Sequence, residues 1–98
     1  MVIEVLNYVE RCYSNDDGII INNIINKALE NGNQVVISFK GVNSVTSSFI
    51  NSAFIELIKN YDLEFVKNQL MFTNSNKSIN RMIRDRFAFF METELQPV

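Results

Sequence analysis

The sequence predicts an α/β domain: strand, helix, strand, helix, strand, helix, with a mixed or largely parallel sheet of three to four strands and helices packed against it. Three observations lead there. A continuous β-branched run, "QVVISFK" (34–40), has the composition of a central strand covered on both faces. Directly after it Phe49, Ile50, Ala53, Phe54, Leu57 and Ile58 recur at a helical period. Segments of these two kinds alternate along the chain, and such alternation implies right-handed crossovers.

The first segment, "VIEVLNYV" (2–9), is rich in β-branched residues and reads as a strand. "YSNDDG" follows, where Ser14 and Asp17 have capping-box spacing. A helix is expected over 17–30, with Ile20 or Ile21, Ile24, Ile25, Ala28 and Leu29 on one stripe and Asn31-Gly32 as its stop. After the central strand and the "GVNSVTSS" loop, a second helix is expected over 47–60. "YDLEF" reads as a connector. "VKNQLMFTN" (66–74) alternates Val66, Asn68, Leu70 and Phe72 against Lys67, Gln69, Met71 and Thr73, the pattern of a half-exposed strand. Asn74 or Ser75 would then cap a third helix that buries Ile79, Met82, Ile83, Phe87 and Phe90. Residues 91–98 show no period and read as an irregular tail, so 1–98 is one domain with its core in 2–90.

Composition narrows the function classes. Ninety-eight residues suffice for one modest core, and 47% apolar with 20% charged residues is the balance of a folded chain. A net charge of −2 and a pI near 5.0 argue against a phosphate-tracking surface, so no nucleic acid is expected. No apolar run approaches the ~20 residues of a bilayer span. "MVIEVLNYVE" lacks the basic start of a signal peptide. The single Cys12 excludes an internal disulfide and suits a reducing, cytoplasmic setting. With no histidine, His-ligated zinc and Ser-His-Asp triads are excluded; three separated glycines cannot form a phosphate loop. The expectation is a non-enzymatic domain without cofactor, metal or membrane contact.

The most informative stretch is "GVNSVTSSF" (41–49). Its hydroxyls follow a central strand, where open α/β sheets gather function. Ser47 or Ser48 could serve as N-cap, worth ~1 kcal/mol. The same stretch could be a docking surface made of Ser44, Thr46, Ser47, Ser48 and Asn51. Elsewhere, Asp16 and Asp17 fit the first turn of a helix better than a metal pair. Lys77, Arg81 and Arg84, at i, i+4 and i+7, form a basic stripe that is either a solvated face or a guide for an acidic partner. Cys12 reads as a buried spacer. Phe65, Phe72, Phe87, Phe89 and Phe90 read as core, although Phe89 leaves the helical stripe and hints at a homodimer contact.

The run "VVISFKGVNSVTSSFINSAFIEL" resembles the pattern "v.i.F.gv..v.ssF...af..L" of the STAS-like family of small bacterial domains of unknown function, related to the STAS domain of anti-sigma-factor antagonists. "NDDGIIINNIINKAL" and "LMFTNSNKSINRMI" fit the same family, so the resemblance spans about residues 3–90. It implies a regulatory protein–protein interaction module that docks through the 41–48 loop and the following helix. Its implied partner is a GHKL-type ATPase or serine kinase. Matching the antagonists' "DSSG" to "TSSF" puts Ser47 at the phosphoacceptor position and Ser48 at the second serine. Thr46 stands in place of their Asp and Phe49 in place of their Gly. The alternative is a small-ligand or nucleotide-binding sensor that holds an anion at the same helix N-terminus.

Overall fold

In the computed structural model, which describes residues 1–94, three parallel strands form one sheet. β1 (Val2–Glu4) and β3 (Leu70–Thr73) flank β2 (Val35–Ser38). Val2, Val36 and Met71 share one register row, and Ile3, Ile37 and Phe72 share the next. Pleating sends these rows to opposite faces. Ile3 and Ile37 are fully buried, whereas Val2 is 66% and Met71 55% exposed. β2 is therefore central, as its apolar run predicts, but no helix among the described residues covers its second face. The strand order explains this. Both crossovers step the same way across the sheet, and right-handed crossovers then put every helix on one face.

α1 (Asn15–Glu30) starts on the expected capping box. The Asp17 N–H donates to Ser14 Oγ at 3.1 Å, and the Ser14 N–H donates to the Asp17 carboxylate at 3.3 Å. It ends by donating Gly32 N–H to the Leu29 carbonyl and Asn33 N–H to that of Ala28, which satisfies otherwise orphaned carbonyls. The expected second helix is present in three parts: α2 (Ser47–Ile50), a π-helical turn (Asn51–Ile55) and α3 (Glu56–Asn60). The wider turn brings Ala53, Phe54 and Ile55 into the core in succession. Asn22 Nδ2 of α1 donates to the Ala53 carbonyl at 3.1 Å. α1 lies close enough to this helix that a Cβ at Gly18 would stand 2.7 Å from both Phe49 O and Ser52 Cβ. Phe39, Phe54 and Phe72 meet at centroid distances of 5.2 to 6.3 Å and join the residue after β2 to the π turn and β3.

Four expectations need correction. β1 stops at Glu4, and Val5–Asn7 forms a 3₁₀ turn with Val9 N–H donating to the Val5 carbonyl. Val5 and Val9 are both buried while Asn7 between them is exposed, which a turn satisfies and a regular strand does not. Residues 66–69 are helical, not extended: α4 (Leu63–Gln69) is capped by Asp62, which accepts the Phe65 N–H at 2.8 Å. The alternation misled because Val66 and Leu70 are also i, i+4 partners; both are buried and Asn68 is exposed. The cap of α5 (Lys77–Glu94) is Asn76, whose Oδ1 accepts the Ile79 N–H at 2.9 Å, in place of Asn74 or Ser75. Finally, α5 runs through Met91 to Glu94, where an irregular tail was expected; residues 95–98 lie outside the described residues. Ile79 and Ile83 are buried, and Met82, Phe87 and Phe90 pack against the core. No helix among the described residues is long and apolar enough to cross a membrane.

Candidate functional site

The site is the loop that leaves β2. Its base is Ser38, buried at the strand end, whose Oγ accepts Lys40 N–H at 3.4 Å and Asn74 Nδ2 at 3.0 Å. Asn74 has φ +54°, a left-handed conformation that Asn tolerates better than most residues, and it turns the chain from β3 toward α5. The loop itself turns at Gly41, φ +83°, where glycine pays no Cβ penalty. A Cβ there would also stand 3.1 Å from Leu6 Cδ1.

Beyond Gly41 the loop is fastened on both sides. The Thr46 N–H donates to the Cys12 carbonyl at 3.1 Å, and Thr46 Oγ1 donates to the Tyr13 carbonyl at 2.5 Å. The Tyr13 hydroxyl and Ser44 Oγ are hydrogen-bonded at 3.3 Å. On the other side Asn76 Nδ2 donates to the Asn43 carbonyl at 2.9 Å. The segment before α1 and the start of α5 therefore both hold the loop.

The N-cap of α2 is Thr46, not Ser47 or Ser48. Its backbone is extended, and Oγ1 accepts the Phe49 N–H at 3.2 Å. Thr46 can do both jobs because a hydroxyl donates one hydrogen bond and accepts others. Ser47 is half-buried and Ser48 exposed, and neither side chain makes a hydrogen bond among the described residues. Asn51, one turn past Ser47, accepts from Arg86 Nε at 3.1 Å, and the Arg86 guanidinium lies 4.6 Å from the Phe89 ring centroid. Ser52 donates to Asn15 Oδ1 at 2.9 Å. The predicted site residues thus divide by task. Ser44 and Thr46 anchor the loop, Asn51 ties the π turn to α5, and Ser47 and Ser48 stand at the helix start.

Cys12 lies beneath this loop, and burial, followed by the nearby Asp17 carboxylate, pushes its thiol up to about 12. A protonated, buried thiol is a poor nucleophile, so the spacer reading fits. Asp17 serves the capping box, and the described residues hold no acidic or cysteine cluster suited to a metal. Lys77, Arg81 and Arg84 are exposed and form no ion pair among the described residues, where the only ion pair joins Lys59 to Glu56.

Sequence reasoning missed Tyr13, Ser38 and Asn76, and read Asn74 only as a candidate helix cap. Their partners lie 31 to 36 positions away, so no local pattern exposes them. The polar cluster "TNSN" before an apolar helix was the available hint for Asn76.

A family model described as "STAS-like domain of unknown function (DUF4325)" matches residues 17–80. The chain belongs to this family. The matched span of this STAS-like domain runs from the first turn of α1 through the loop and into the first turn of α5, so it encloses loop 41–48 and the helix start, while Cys12, Tyr13 and Arg86 lie outside it. No curated protein and no solved structure matches the chain.

Proposed function

We propose that this STAS-like domain is a non-enzymatic regulatory module that docks on a partner protein through loop 41–48 and the helix that follows. One observation carries the reading: Thr46 supplies the helix cap, so Ser47 and Ser48 are left without a structural task beside a tightly held loop. A loop already held in place loses less conformational freedom on binding. Leu6 and Tyr13 are exposed around it, at 37% and 47%, and such side chains anchor interfaces.

The resemblance to anti-sigma-factor antagonists supports a GHKL-type ATPase or serine kinase as the partner class. A phosphoryl group on Ser47 would add close to two negative charges at the rim of the loop and turn docking off. An anion sensor at the same helix start is the weaker reading, since Thr46 already takes the Phe49 N–H that an anion would use. Amide hydrogen exchange with and without the source cell's GHKL-type ATPases tests the proposal. Slowed exchange across residues 41–51 is expected; protection confined to other segments, or none with any of them, overturns it.

A further inference from the structure

A second surface shares no residue with loop 41–48. Between α4 and α5 runs an apolar groove of about 430 Å³. Leu70 and Phe72 of β3 line it together with Val66 of α4 and Ile83, Phe87 and Met91 of α5. Phe72 is stacked on Phe39 and set edge-on to Phe54, so this part of the groove is fixed by the core. Ile83, Phe87 and Met91 fall at i, i+4 and i+8, which makes one wall a continuous apolar strip more than two turns long.

We propose that this groove receives an amphipathic helix of a partner protein that carries acidic residues beside its apolar stripe. Charge names the occupant. Lys67 on α4 and Arg84 on α5 both line the groove, and among the described residues no carboxylate does. Both cations are exposed, and neither is ion-paired among the described residues. Lys77 and Arg81 continue the same stripe of α5 beyond Arg84, so three of the nine cations of a net-acidic chain share this stripe. Acidic side chains flanking an inserted apolar stripe would meet opposite charge on both sides, and a basic helix would be repelled. A groove bounded by two helices is also a recurrent seat for an amphipathic helix, which anchors at i, i+4 and i+7. Apart from the two cations the lining has no polar side chain among the described residues, and small-ligand sites usually have several to fix orientation.

Selection of displayed helical peptides on the intact chain tests this. Enriched sequences should carry apolar residues at i, i+4 and i+7 flanked by Asp or Glu. A fluorescent copy of the strongest should bind about tenfold more weakly to Lys67→Glu/Arg84→Glu, and its affinity for the wild type should fall with salt. Ala88→Arg fills the groove from an exposed position that leaves folding intact, and it should block binding although it adds a positive charge. Enrichment of basic or uncharged peptides, or binding unchanged in both variants, overturns the proposal. So does wild-type self-association abolished by Ala88→Arg, which would give the groove to a second copy. Binding of decanoate with no peptide enriched would give it to an acyl chain instead.

Discussion

The hydroxyl of Thr46 donates to the carbonyl oxygen of Tyr13 across 2.5 Å while it accepts the Phe49 N–H. A single side chain thereby starts a helix and fastens the loop that precedes it to the segment before α1. The loop's shape depends on this contact more than on its neighbouring serines.

Thr46→Ala should therefore destabilise the domain by about 0.5–2 kcal/mol, the range of lost N-caps, and Thr46→Ser should recover most of it. Ser48→Ala should stay within about 0.5 kcal/mol, as exposed substitutions do. Urea denaturation measures all three. Equal losses at 46 and 48 would mean that the cap has been assigned to the wrong residue.

Gly18→Ala sets two effects against each other. Alanine gains ~1 kcal/mol over glycine in a helix interior. Its Cβ would nevertheless meet Phe49 O and Ser52 Cβ at 2.7 Å, and backbone in a packed core does not yield freely. Overpacking of this kind costs about 1–3 kcal/mol, so a net loss is expected. Thermal unfolding checks the sign, and a raised Tm would show that α1 and α2 can separate at little cost.

The raised pKa of Cys12 gives a pH dependence with a definite sign. The unfolded thiol ionises near its ordinary value of 9.0, while the folded one holds its proton to about 12. Between these values the folded state binds more protons, so stability falls as the pH rises above 9 and is unaffected by this group below it. Cys12→Ala should show a shallower decline over the same range in paired denaturation series. Iodoacetamide at pH 8 should leave the native wild-type thiol unmodified.

Arg86 and Asn51 should behave as a coupled pair. Removing either ends their hydrogen bond, and removing Arg86 also ends its contact with Phe89. Each alanine variant should cost about 1–2 kcal/mol, with the double variant less destabilised than the sum. Strict additivity in denaturant unfolding would show that the bond contributes nothing to holding α5 against the π turn.

The order of the major strands and helices was legible because periodicity reports burial, and burial built β2, α1 and α2 as the residues imply. It failed at Val66–Gln69, where apolar residues at i and i+4 also satisfy a two-residue alternation, and at Val5–Val9, where the layer needed a turn. The extra residue of the π turn left no local mark, because Ile55 reads as one more apolar residue in an already rich stripe. At the site, the hydroxyl-rich loop stood out in the sequence. Which hydroxyl caps the helix depends on Tyr13, 33 positions earlier, and only the folded chain brings the two together.

The central claim is tested most directly by titrating the source cell's GHKL-type ATPases into wild type, Ser47→Ala and Ser47→Glu in a calorimeter. One of them should bind wild type and Ser47→Ala alike, and Ser47→Glu about tenfold or more weakly, because a charge at the loop rim opposes docking. Equal affinity for all three proteins, with their thermal stabilities unchanged, would contradict a docking surface at this loop.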